Sequence, residues 1–134
     1  MSNCFNHRVT DPAKIPILLD TDIGSDIDDA VALAYLLRQP RCELVGITTV
    51  TGEVAQRSAL AAAVCDAAGR PGIPVHSGAA KPLLHGPGQP LVPQYAALAN
   101  RPHRKDFPPN TAVEFLRAAI RARSPTTSPC IAPI

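Results

Sequence analysis

Apolar and polar residues follow one another along this chain in blocks that predict alternating strands and helices. Short apolar or β-branched runs are typical of strands buried on both faces, and longer stretches with apolar residues at helical spacing are typical of helices. In chain order, the predicted elements are a strand at 15–19, a helix at 30–37, a strand at 44–50, a helix at 54–68, a strand at 73–76 and a helix at 111–123. This alternation predicts an α/β domain, with a parallel sheet and helices on its faces. Functional sites in such domains gather beyond the carboxyl ends of the strands.

Residues that are typical of helix ends stand at the ends of the predicted helices. Pro40 ends the first helix, and Gly69 takes the C′ position after the second. Thr111 and Glu114 have the spacing of a capping box at the start of the third helix.

Three segments show neither strand nor helix periodicity. Residues 1–14 are polar and are predicted to form a loose leader, and the proline-rich residues 81–110 are predicted to form a long surface loop. Residues 124–134 are predicted to form no strand or helix, because three prolines interrupt them. The domain is therefore expected at 15–123, and the atypical tail suggests the hypothesis that a frameshift produced residues 124–134.

Composition excludes several classes of protein. The 134 residues are enough for one domain, and 46% hydrophobic with 18% charged residues is too apolar for a disordered chain. A net charge of +2 and 4% aromatic residues argue against nucleic acid as a partner, and no apolar stretch is long enough to predict a membrane span. The four cysteines form no CxxC pair, which is typical of free thiols in a reducing cytoplasm.

Acidic residues are concentrated between the first predicted strand and the first predicted helix. Five of the eleven acidic residues fall within ten positions: Asp20, Asp22, Asp26, Asp28 and Asp29. Carboxylates this close together repel one another unless a cation lies between them, and oxygen ligands favour Ca²⁺ or Mg²⁺ over zinc. Gly24 would allow the sharp turn that folds such a loop around one ion.

Three kinds of local structure contain acidic segments of this kind. An EF-hand loop is excluded because it needs Gly at position 6 and Glu at position 12, whereas Gly24 and Val31 stand at positions 5 and 12. A solvated acidic turn stays open, since carboxylates are favourable at a helix N-terminus. A catalytic metal site at the end of a strand stays open as well.

The same segment resembles a known family signature. Residues 17–30 (ILLDTDIGSDIDDA) are similar to the N-terminal signature of the inosine-uridine preferring nucleoside hydrolase family, in its longer variant with two extra residues before the paired aspartates. Residues 46–52 resemble the second strand and turn of that family, 73–79 its third strand, and 112–116 the helix after its variable loop. The resemblance covers residues 15–123 and implies a Rossmann-like parallel sheet flanked by helices, the N-terminal portion of the nucleoside hydrolase fold.

The resemblance also implies hydrolysis of the N-glycosidic bond of ribonucleosides to free base and ribose, with Ca²⁺ as the cofactor. At the matching positions, Asp22 is expected to be a metal ligand and the base that activates water, Asp29 a bidentate metal ligand, and Asp28 an acceptor for a ribose hydroxyl. Asp20 is expected to support the loop. Glu53 stands where many members have Asn, so it is either a substrate-binding residue or an ordinary acid in the first turn of a helix. The implied partner is the ribonucleoside, with homo-oligomers in a full-length form and neither membrane nor nucleic acid.

The chain departs from the family in length. Family members are longer, and their later half supplies further metal ligands and a histidine that protonates some leaving bases. The four histidines of this chain are not expected to replace that one: His7, His76, His85 and His103.

Two alternatives to a nucleoside hydrolase stay open. Asp20 and Asp22 after a strand resemble the nucleophile and general acid of haloacid-dehalogenase-type phosphatases, although Gly24 stands where that motif has Thr or Val. The other alternative is a truncated fragment without catalytic activity.

Overall fold

The computed structural model describes residues 13–123 and 130–133. The elements in chain order are β1 (Ile15–Thr21), α1 (Asp28–Arg38), β2 (Cys42–Thr49), α2 (Val54–Ala67), β3 (Val75–Ser77), a 3₁₀ helix (Pro93–Leu98), α3 (Ala112–Arg121) and β4 (Cys130–Pro133). All of the strands predicted from the sequence are present, and their bounds differ by a few residues from those expected.

The four strands form one parallel sheet in the order β3-β2-β1-β4. Its interior strands are apolar on both faces, as in other sheets covered by helices, and Leu18, Leu19 and Ile47 are at most 1% exposed. The α/β prediction of a parallel sheet flanked by helices is therefore confirmed. Because β1 lies between β2 and β4, its carboxyl end opens near the middle of one edge of the sheet.

Two helices pack together beside this sheet and against its core. Leu33 and Leu37 bury the inner face of α1, and a run of small residues lets α2 lie close to its neighbours, with Ala61 and Cys65 fully buried. As predicted, α2 ends before Gly69, whose φ of +73° is the left-handed conformation expected at C′. Among the described residues, none of the helices has the length and apolarity needed to span a bilayer.

The tail contains a strand that the sequence analysis did not predict. Cys130–Pro133 pairs in parallel with Ile17–Asp20 of β1, so the prediction that the tail forms no strand is wrong for these four residues. Proline is tolerated here because β4 is an edge strand, where one side of the backbone has no ladder to complete. Residues 1–12, 124–129 and 134, and with them most of the predicted leader and part of the predicted tail, lie outside the described residues.

Two local predictions also need correction. Pro93–Leu98 forms a 3₁₀ helix inside the segment predicted to be a loop. Thr111 makes no side-chain capping bond, so the capping box is absent, and its hydroxyl donates instead to the carbonyl of Pro108 at 3.3 Å. A nearby backbone acceptor has replaced the interaction that the spacing with Glu114 predicts.

An aromatic stack joins β3 to α3. The His76 ring lies 4.3 Å from the Phe115 ring, at an interplanar angle of 14°, and its Nδ1 is 3.2 Å from the hydroxyl of Thr111. The bare backbone of Gly46 makes room for this stack, since a Cβ there would collide with the Phe115 ring. Burial lowers the pKa of His76, so the folded chain favours the neutral ring.

We expect His76 to make the chain less stable in acid. A lowered pKa in the folded state contributes stability above the unfolded-state pKa of about 6.5, and this contribution is lost as the pH falls through the folded-state value. Urea unfolding at pH 7.5 and pH 5.0 should show a larger fall in midpoint for the wild type than for His76→Phe, which keeps an aromatic ring without a titrating proton. His85→Gln, in an exposed loop, is the control and should follow the wild type. Parallel pH profiles for the wild type and His76→Phe would contradict this prediction.

Candidate functional site

The acidic segment forms a loop between β1 and α1, at the carboxyl end of a central strand. Asp20, still within β1, accepts a hydrogen bond of 2.6 Å from the hydroxyl of Thr48 on β2. This bond ties the start of the loop to the neighbouring strand. Asp20 therefore has the supporting contact that was expected of it.

Asp29 is the most enclosed carboxylate of the loop. It is only 6% exposed, and its Oδ1 accepts a hydrogen bond of 2.5 Å from the hydroxyl of Thr21. The same hydroxyl accepts the backbone N–H of Ile23 at 3.1 Å, so Thr21 joins the first turn of the loop to the first turn of α1. Asp29 Oδ2 accepts no hydrogen bond among the described residues, and it keeps some solvent-accessible surface, because no fully buried side-chain oxygen among them lacks a partner.

Burial and neighbouring charges together shift the pKa of Asp29. Burial raises the pKa of this carboxyl, the hydrogen bond from Thr21 opposes that rise, and the carboxylates of Asp22 and Asp28 add to it. The structure therefore brings Asp22, Asp28 and Asp29 close enough to interact electrostatically. Asp22 is half-buried and Asp28 is exposed at the first turn of α1, while Asp26 is exposed in the loop as a solvated residue would be.

Gly24 makes the turn that was expected of it. Its φ is +115°, and its buried backbone packs under the side chains of Val92 and Leu60. Its carbonyl accepts the backbone N–H of Gln94 at 3.1 Å. The acidic loop therefore rests against the chain that follows β3 as well as against α2.

Arg57 is a residue of the site that the sequence analysis missed. It lies in the first turns of α2 with no exposed surface, and its guanidinium donates hydrogen bonds to the backbone of the acidic loop. A signal was available, because a lone arginine stands near the N-terminus of an alanine-rich predicted helix, where a positive charge is unfavourable. Such a residue needs compensating partners.

Glu53 lies beside this site at the start of α2. It is exposed, occupies the N-cap position without a side-chain capping bond, and borders an open cleft with Gln56 and residues 90–93. The described contacts therefore leave its carboxylate free to meet a ligand. Its predicted role in substrate binding stays a prediction.

The donor chemistry of the loop fits part of a cation site. Asp22 and Asp29 offer carboxylate oxygens, which hard divalent cations prefer. Within 13–123 and 130–133, no group of three or more His, Cys, Asp or Glu side chains is arranged to hold a metal ion. Because Ca²⁺ takes about 6–8 oxygen ligands, two carboxylates would leave most of its shell to water and backbone oxygens.

The fold and the loop together define an α/β protein whose candidate site lies beyond the carboxyl end of a central parallel strand. Residues 17–134 match the sequence model of the inosine-uridine preferring nucleoside hydrolases, and the chain belongs to this family. The matched range includes the tail that the sequence analysis set apart. The predicted family is confirmed, and a haloacid-dehalogenase-type phosphatase is not favoured.

Relatives and a solved structure agree with this family. The chain is 36% identical to the probable uridine nucleosidase 2 of Oryza sativa subsp. japonica over 122 residues, which is 82% of this chain and 34% of that protein. It is 45% identical over 75 residues to the inosine-uridine preferring nucleoside hydrolase of Leishmania major, covering 52% of this chain and 22% of that protein. A plant nucleoside hydrolase structure matches with a TM-score of 0.65 at 21% identity, over 90% of this chain and 39% of that chain, and confirms the fold. This chain therefore spans about a third or less of the curated relatives it matches.

Proposed function

We propose that the acidic loop is the cation-binding part of a ribonucleoside hydrolase active site, and that the reaction is hydrolysis of the N-glycosidic bond to free base and ribose. The observation that carries this proposal is Asp29, a buried carboxylate held by Thr21 with a free oxygen and two carboxylates nearby. A solvated acidic turn, the other structure left open by the sequence, would not need to bury Asp29, which is only 6% exposed.

The cation that we propose is Ca²⁺, with Asp22 and Asp29 as its ligands in this chain. Bound at this place, the ion would supply positive charge that favours ionisation of water and orients a sugar diol. Asp29 is suited to a fixed position because its hydrogen bond from Thr21 holds one oxygen in place.

The roles proposed for Asp22 and Asp28 follow from the chemistry of the hydrolysis. Water adds to C1′ of the ribose while the bond from C1′ to the base nitrogen breaks, and the departing base gains a proton. Asp22 takes the proton from the water, and Asp28, exposed at the start of α1, accepts a hydrogen bond from a ribose hydroxyl. The carboxylates stabilise the positive charge that develops on the sugar in an oxocarbenium-like transition state.

Glu53 completes the proposed substrate contacts. Its exposed carboxylate beside the cleft at 90–93 would accept a hydrogen bond from the sugar. The proposal also includes a role in nucleoside salvage, a cytoplasmic location indicated by the free thiols of Cys42 and Cys65, and a homo-oligomer for a full-length form.

Turnover by the purified chain tests this proposal. We expect release of free base from uridine or inosine in the presence of Ca²⁺, no release after chelation with EDTA, and at least about a 100-fold loss in Asp22→Asn. Para-nitrophenyl phosphate in the same buffers tests the phosphatase alternative and should not be cleaved. Asp106→Asn, an exposed substitution in the segment before α3, is the control.

A folded chain that binds Ca²⁺ but releases no base from uridine or inosine would contradict the catalytic proposal. That result would leave the acidic loop with a cation-binding role alone.

A further inference from the structure

Arg57 carries a buried charge without an ion pair among the described residues. It is completely inaccessible to solvent, and its described hydrogen-bond partners are all uncharged oxygens. Burial lowers the pKa of this guanidinium, while the carboxylates of Asp22 and Asp29 oppose the change. Burying a charge costs folding free energy unless hydrogen bonds compensate for the lost contacts with water, so the hydrogen bonds of Arg57 decide whether it is tolerated.

The guanidinium hydrogen bonds join three segments that are distant in the sequence. The Nε–H donates to the carbonyl of Thr51 at 2.8 Å, in the turn between β2 and α2. The other acceptors are oxygen atoms of the acidic loop and of the chain after β3. Nη1 donates to the carbonyls of Asp22 and Ile23 (3.0 Å for the latter) and to the Ser25 hydroxyl at 3.1 Å, and Nη2 donates to the carbonyls of Gln89 at 2.6 Å and Leu91 at 3.3 Å.

Other hydrogen bonds join the same segments independently of Arg57. The backbone N–H of Gln89 donates to the Thr51 hydroxyl at 3.0 Å, and that of Gln94 donates to the carbonyl of Gly24 at 3.1 Å. The Ser25 hydroxyl is 3.4 Å from the carbonyl of Leu91. Residues 22–25 and 89–94 are therefore held in one register, and Arg57 lies at the point where they meet the turn before α2.

No other side chain can make this set of contacts. Arginine presents five N–H donors in a planar fork, whereas lysine presents three donors on one nitrogen and methionine presents none. A methionine of similar length would fill the space without fixing the carbonyls. The charge also lies near the carboxylates, where it reduces their mutual repulsion in the absence of a cation.

We propose that Arg57 is a positioning residue, which fixes the acidic loop against residues 89–91 so that the Asp22 and Asp29 carboxylates are arranged for a divalent cation before it binds. This inference rests on the proposed function, because it assigns the cation to the same loop. It assigns a role in cation binding to a residue outside the acidic loop. It also makes residues 89–91 part of the structure that holds the acidic loop in place.

The test compares Arg57→Lys and Arg57→Met with Arg70→Lys and Arg70→Met, at an exposed arginine just beyond the other end of α2. Calcium affinity is measured by calorimetry at a temperature where circular dichroism shows every variant to be folded. Backbone hydrogen exchange is followed at the amides of Gln89 and Gln94. Ser25→Ala, which removes one acceptor and leaves Arg57 buried, serves as the mild variant if Arg57→Met does not fold.

We expect both Arg57 variants to weaken Ca²⁺ binding by about 10–100-fold and to speed exchange at Gln94, whereas the Arg70 variants should match the wild type. Ser25→Ala should show a smaller loss of the same kind. A role confined to stability would lower the unfolding midpoint without changing the affinity of the folded variants, and Arg57→Lys would then retain wild-type affinity.

The two proposals fail in different ways. Wild-type Ca²⁺ affinity in the folded Arg57 variants or in Ser25→Ala, with Gln94 still protected, would overturn the positioning role and leave the cation site standing. No Ca²⁺ binding by the folded wild type would overturn both proposals, since the loop would then have no cation to be arranged for.

Discussion

Asp29→Asn is expected to reduce Ca²⁺ affinity by at least about 100-fold and, in the absence of the cation, to make the chain more stable. The loss of affinity follows from removing the charge of a proposed ligand. The gain in stability follows from the same charge, because the ionised Asp29 is buried and lies near Asp22 and Asp28. The asparagine keeps the oxygen that accepts the Thr21 hydroxyl, so the hydrogen bond is retained.

The size of the stability gain in Asp29→Asn depends on pH. A raised folded-state pKa contributes stability below the unfolded-state pKa of about 3.9, and this contribution is lost as the pH rises through the folded-state value. At neutral pH the wild type holds an unfavourable charge that the variant lacks, and we expect a gain of about 0.5–2 kcal/mol in the free energy of unfolding. The gain should shrink as the pH falls through the raised pKa of Asp29.

Calorimetric titration with Ca²⁺ and urea unfolding in EDTA measure the two effects. Asp26→Asn is the matched control, because it removes a carboxylate from the same loop at an exposed position. It should change neither quantity appreciably. Unchanged Ca²⁺ affinity in Asp29→Asn would remove this residue from the proposed site, and a destabilised variant would show that the carboxylate is stabilised by its surroundings in the cation-free chain.

Gly24→Ala is expected to lower the free energy of unfolding by about 3 kcal/mol, from backbone strain and overpacking together. An alanine at a φ of +115° is strained, and its Cβ would collide with Val92 and lie 2.7 Å from Cδ1 of Leu60. Both neighbours are buried side chains of the core that supports the loop. The acidic loop and the chain after β3 would have to separate to admit the methyl group.

Substitutions at two other glycines distinguish backbone strain from overpacking as causes of the lost stability. Gly86→Ala meets a positive φ of +79° with open space around it, and Gly72→Ala meets open space without a positive φ. We expect a loss of about 1–2 kcal/mol for the first and a much smaller change for the second, measured by urea unfolding. Equal losses in Gly24→Ala and Gly86→Ala would show that the contacts with Val92 and Leu60 have no part in the cost.

The expectations that the structure confirms rest on local patterns. Apolar runs and helical spacing predicted the strands at 15–19, 44–50 and 73–76, which the structure shows as β1, β2 and β3 with shifted bounds. The sharp turn at Gly24 was likewise predicted from the local sequence. Local spacing also misled, since the capping box predicted at Thr111 is absent and its hydroxyl donates to Pro108.

The amino-acid sequence alone determined the α/β class, the family and the place of the acidic loop, because strand and helix periodicity and a short motif are properties of neighbouring residues. Only the tertiary structure decided that Cys130–Pro133 adds a strand beside β1, and that Arg57 joins the acidic loop to residues 89–91. The physical reason is that these contacts join residues far apart in the chain. Pro133 is acceptable in β4 because the outer side of this edge strand has no hydrogen-bonded neighbour, and a buried arginine is acceptable only where folded backbone supplies enough carbonyl oxygens.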